Sequence, residues 1–252
     1  MRKLNTFIFK TALVMLLMAS LIFTVGHNKV AQADEPELIN IPGSFSGTFG
    51  LFSDYRLRGI TQNDEDLALQ GSLDWNHEMG YYFGAWASNV DFGDTAQSEV
   101  DLYLGVAREY WGVTFDIGGV YYTYPGAVEA LGYDYFEYKF GMSYEFPMIA
   151  MGVTVFYTPE NTGSSGNATY VSFDAEVPLL ISRLAMTGHV GHQTITDETV
   201  AGRPDTVDWS IGASYATHGF DLSLVYADTD LTTAECAAGC DGEVIIGISR
   251  SF

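Results

Sequence analysis

The sequence predicts an all-β fold: a transmembrane antiparallel up-and-down β-barrel of about 12 strands, preceded by a cleaved signal peptide. Three observations carry this reading. Segment after segment alternates apolar and polar side chains with a period of two, the connections between segments alternate long and short, and the last segment ends on Phe252. A period of two is the mark of a strand, and a tilted strand of roughly 9 to 11 residues crosses a bilayer. A terminal strand closing on phenylalanine is also an outer-membrane assembly signature.

The chain opens with a targeting segment. Arg2, Lys3 and Lys10 precede an apolar run from Thr11 to Val25, and Ala31-Gln32-Ala33 supplies a small-x-small cleavage site. Residues 1–33 are read as a signal peptide, 34–43 as a short N-terminal segment and 44–252 as one barrel domain. A retained anchor is disfavoured by the shortness of the run, and no Cys follows it to carry a lipid. Beyond the leader no apolar run is long enough for a spanning helix.

The clearest segment is Phe45 to Gly59. Phe45, Phe49, Leu51, Tyr55 and Leu57 fall on one parity; Ser46, Thr48, Asp54, Arg56 and Arg58 fall on the other. It reads as one long strand with lipid on its apolar side. Leu67 to Asn76 follows, then Tyr81 to Asp91, whose faces the sequence leaves unassigned. Glu99 to Ala107 sets Val100, Leu102, Leu104 and Val106 against Glu99, Asp101 and Tyr103. Val113 to Tyr124 stops at Pro125-Gly126, a turn pair. Tyr135 to Phe146 opposes six apolar residues to Glu137, Lys139, Gly141, Ser143 and Glu145, a pattern that a helix would scatter around its circumference. Ala150 to Thr158, Thr169 to Val177, Leu184 to Gln193, Asp205 to Ala216, Phe220 to Tyr226 and Glu243 to Phe252 complete the set. Twelve is even, and the longer connections follow odd strands, as in a barrel with short periplasmic turns and long outer loops. A soluble β-sandwich also alternates, but its core does not call for so many aromatics on the apolar faces.

Loss of residues 1–33 removes four of 11 basic residues and none of 32 acidic ones, moving the formal charge from −21 to −25. Such a field repels nucleic acid and concentrates cations, so nucleic acid is not an expected partner. The two cysteines, Cys236 and Cys240, stand four apart, and in an exported chain a disulfide closing that small loop is expected. No metal and no cofactor is implied.

The run SGTFGLFSDYRLRGITQNDEDLALQGSLDWNHEMGYYFGAWASNVDF, followed by EVDLYLGVA and IGGVYYTYPG, resembles the TorF family of porins, Gram-negative outer-membrane barrels formerly classed as conserved hypotheticals. The likeness is strong from Gly47 to Pro125, above all in SDYRLRGITQ and YYTYPG, and weak beyond. It implies an outer-membrane barrel with a porin-like role. Its expected partners are outer-membrane lipid and lipopolysaccharide, the barrel assembly machinery during insertion, and small hydrophilic solutes or cations.

Arg56, Arg58, Glu99, Asp101, Glu137, Lys139 and Asp208 are the pore-lining candidates, charged side chains on the inward parity in the outer half. Opposed charges across a lumen set a constriction, and the excess of acids predicts a cation-preferring path for passive diffusion of small hydrophilic solutes. A second use of Arg56 and Arg58 is to pair with Asp74 or Asp101 and tie the wall together. A surface structural or adhesion barrel with a plugged lumen is the alternative function. An outer-membrane hydrolase ranks lower, since neither G-x-S-x-G nor H-E-x-x-H occurs, and catalytic residues are assigned to none.

Overall fold

A computed structural model of the chain describes residues 42–179, 183–236 and 239–252. The leader read at 1–33 and most of the segment 34–43 lie outside them. The described residues form a closed antiparallel barrel of twelve strands: β1 (Ser44–Phe52), β4 (Ala68–Asn76), β5 (Tyr81–Asn89), β6 (Ser98–Tyr110), β7 (Val113–Thr123), β8 (Tyr135–Glu145), β9 (Ala150–Thr158), β10 (Ala168–Pro178), β11 (Leu184–Ile195), β12 (Thr206–Thr217), β13 (Phe220–Thr229) and β14 (Glu243–Ser251). Each pairs with its neighbour in sequence. Closure comes from β1 against β14, with Thr48 opposite Ser251 and Phe52 opposite Gly247. No edge is left open, so every strand finds its backbone partners within the wall, the condition for crossing hydrocarbon.

The apolar parity faces outward on nearly every strand. Leu73, Leu104, Ile117, Phe140, Ile211, Leu224 and Ile246 are all more than 40% exposed, which for unpaired hydrocarbon surface means lipid rather than water. Phe45, Tyr81, Tyr110, Trp111, Tyr144 and Phe146 gather near the short-turn end as an interfacial aromatic girdle. Turns at 77–80, 111–112, 146–149 and 218–219 close that end, while longer connections at 53–67, 90–97, 124–134, 159–167 and 196–205 close the other.

One expectation is overturned. The alternation from Phe45 does not continue as wall to Gly59; β1 stops at Phe52, and the chain turns into the barrel as a small hairpin, β2 (Arg56–Leu57) and β3 (Ile60–Thr61). Leu57 and Ile60 pair across a two-residue turn in which Arg58 and Gly59 both have positive φ, 51° and 79°, as a type I′ hairpin turn requires. Tyr55, read from parity as lipid-facing, is 9% exposed inside the barrel. The unassigned strand β5 shows the imprint of this insertion. Its inward residue Trp86 is 6% exposed and lies 5.1 Å from the Tyr55 ring, so an apolar side chain occupies the lumen side.

Candidate functional site: the barrel lumen

The inserted segment is braced from within. The Asn63 side chain accepts the Tyr55 N–H at 3.0 Å, Gln62 N donates to Tyr55 O, and Asp54 accepts from both Thr61 Oγ1 and Arg56 Nε at 2.6 Å. It then touches the wall in several directions. Tyr55 Oη donates to Glu99 on β6, Arg58 Nη2 donates to Glu137 on β8 at 2.6 Å, and the Arg58 guanidinium lies 4.4 Å from the ring of Tyr170 on β10. Gly59 sits so close to β12 and β13 that a Cβ there would collide with Thr229 Cγ2 and Asp208 Cβ. The hairpin therefore spans the lumen from β6 to β13.

The loop before β14 clasps it from the long-loop end. Thr61 N donates to Gly239 O at 3.0 Å, and Arg56 Nη1 donates to Asp241 O at 2.7 Å. Cys236 and Cys240 are joined in the structure, with Cα atoms 6.2 Å apart, and the Cys240 carbonyl accepts from Thr229 Oγ1.

All seven pore-lining candidates face the lumen, but they do not form one ring. Arg56 and Arg58 belong to the inserted hairpin and not to the wall. Neither takes the partners expected from sequence: Arg56 pairs with Asp54 and Glu65, Arg58 with Glu137. Asp74 instead accepts from Ser72 and Tyr103. Glu99, Asp101, Glu137 and Asp208 line the hairpin level at 0%, 3%, 1% and 3% exposure, so the outer half of the lumen is filled.

Lys139 lies in the other half, toward the short turns, where it donates to Asp116 at 2.6 Å beside Tyr82. Further round the wall His189 is held between two carboxylates, with Nδ1 2.6 Å from Asp174 and Nε2 2.8 Å from Asp208. When protonated the ring donates to both, and it is then an inward cation that a count with neutral His leaves out.

The sequence reading also missed Arg203, at the long-loop mouth. It donates to Thr206 Oγ1 and Gln193 Oε1 and has no carboxylate partner among the described residues. Burial, and next the charge of Arg58, lower its pKa to about 10. Among the described residues no group of three or more His, Cys, Asp or Glu side chains is placed to hold a metal ion.

The barrel is similar to two solved structures, the KdgM porin (TM-score 0.57, 5% identity, 82% of this chain and 99% of that one) and the NanC porin (TM-score 0.55, 10% identity, 83% and 99%). At these identities the likeness establishes the fold, a closed barrel of outer-membrane porin type, and with the lipid-facing belt it makes the chain an outer-membrane protein. No curated protein matches the chain. Residues 39–252 match the profile of Gcw_chp, a family of bacterial proteins of unknown function, and the chain belongs to that family.

Proposed function

We propose that this chain is a porin-like channel for small hydrophilic solutes, cation-preferring, whose passage is controlled by the hairpin at residues 53–66. The observation that carries the reading is the polarity of the barrel interior. A barrel serving only as a surface platform has no need of Asp116, Lys139, Asp174 and His189 in a partly solvated inner half, since charged groups without water or partners cost several kcal/mol each. Among the described residues the inserted segment, covered by the loop before β14 and by the buried cluster of the 90–97 and 124–134 loops, stands between this inner half and the outside. Acidic side chains outnumber basic ones along the wall, which favours cations. The resemblance to TorF-family porins in SDYRLRGITQ, the segment that forms the hairpin, supports the same assignment.

A second reading, a barrel sealed for good, is favoured by the near-complete burial of Glu99 and Glu137. Planar-bilayer recording of the refolded chain under a salt gradient separates the two. The channel reading expects brief openings with a reversal potential on the cation side. A barrel silent at every voltage, with the hairpin present or removed, belongs to the sealed reading.

A further inference from the structure

Beneath the hairpin the charges do not balance. Glu99, Asp101 and Glu137 are three buried carboxylates, and the cation that reaches them from the hairpin is Arg58. Its guanidinium is committed to Glu137, whose Oε2 also accepts from Tyr122. Tyr55 Oη donates to Glu99 Oε1 at 3.1 Å. On the remaining two acids, Glu99 Oε2 and Asp101 Oδ1 are both sealed from solvent and both without a donor.

The two residues are i and i+2 on β6 and share the lumen face, so their charges act on each other directly. The other titratable groups facing them are the phenols of Tyr55, Tyr103, Tyr122, Tyr124 and Tyr135. Two bare carboxylates in a dry site are not tolerated. Two orphan acceptors need one hydrogen, and a single O–H···O⁻ bond satisfies both. A shared proton needs no ligand set beyond these two oxygens.

We propose that Glu99 and Asp101 form a proton-binding site, sharing one proton between Glu99 Oε2 and Asp101 Oδ1, and that this proton latches the hairpin over the lumen. Release of the proton leaves two adjacent anions that water alone can stabilise, and water reaches the sealed oxygens, Glu99 Oε2 and Asp101 Oδ1, only if Tyr55 and its hairpin lift. The proton thus binds the closed state better than the open one and shifts the balance between them. The latch rests on the channel reading for its purpose, though not for its chemistry.

The test uses the full chain in lipid vesicles with Trp75, Trp111 and Trp209 replaced by phenylalanine, so that emission reports Trp86 under Tyr55. Acrylamide quenching of Trp86 is expected to increase as pH rises, with the open-to-closed ratio changing by up to about tenfold per pH unit, the limit for one proton. In E99Q the amide donates permanently toward Asp101 while its oxygen still accepts from Tyr55, and in D101N the amide donates toward Glu99. Both are expected to stay weakly quenched at every pH. Quenching that is flat in the parent chain, or that follows the parent's pH curve in a folded E99Q or D101N, overturns the latch. If quenching follows the expected curve while no current flows through the same protein at any pH, the latch stands and the channel reading falls.

Discussion

In the long-loop half of the lumen Arg58 and Glu137 lie 2.6 Å apart with side chains 8% and 1% exposed; in the short-turn half Lys139 and Asp116 make a pair of the same length at 15% and 14%. Distance alone does not separate them. What differs is what surrounds each pair: a hairpin that excludes water in one case, a vestibule that admits it in the other. The same ion pair is thus a fastening in the first setting and a replaceable wall contact in the second, because the worth of a pair follows from what its partner meets when it is removed.

The sharpest way to break the comparison is Arg58→Ala. Glu137 loses its cation in a site with no water, a cost of about 3–5 kcal/mol. The expected result is a lower temperature for loss of the folded, heat-modifiable band on a gel, together with leak current through a barrel whose hairpin has come loose. Gly59→Val is expected to rank next. It places a β-branched residue at φ 79° against Thr229 and Asp208, for about 1–3 kcal/mol, read as the same leak with less loss of thermal resistance.

Lys139→Met is expected to do less. Asp116 keeps the Tyr82 hydroxyl at 2.7 Å and gains water, so stability changes by about 1 kcal/mol while the reversal potential moves further toward the cation side. Equal losses of stability in Arg58→Ala and Lys139→Met erase the distinction between the two halves.

The smallest effect belongs outside both halves, in the 90–97 loop. Asp94 accepts from Ala96 N and from Tyr133 Oη, and these bonds, Ala96 first, hold its carboxyl below the usual range. Its stabilising contribution is full above the ordinary carboxylate pKa and is lost as pH falls through the lowered value. Proteolysis within this loop is therefore expected to quicken only in strong acid.

The wall was legible because each strand separates two solvents, and parity records that separation residue by residue. Tyr138, Phe140 and Met142 on the outside against Glu137 and Lys139 on the inside leave no other reading of β8. The hairpin was hidden by the same rule. Tyr55, Leu57, Arg56 and Arg58 continue the alternation of β1 past Phe52, so periodicity carries no sign that the chain has left the wall. The available signal was local: Arg58-Gly59 supplies a glycine where a tight turn needs positive φ, and Asn63 offers a side chain to brace the return. In β5 the alternation fails because Trp86 faces protein and not water, which makes a weak strand the trace of an inserted segment. The partner choice of Arg58 depends on where the hairpin lands, a long-range packing outcome that no spacing in the sequence encodes.

The most direct test is the current through single barrels in a planar bilayer, comparing the intact chain with one in which residues 54–62 are replaced by a short glycine-serine link. If the hairpin is the barrier, the intact chain passes current only in brief openings and the shortened chain conducts steadily. Equal currents in the two would show that residues 54–62 do not close the lumen.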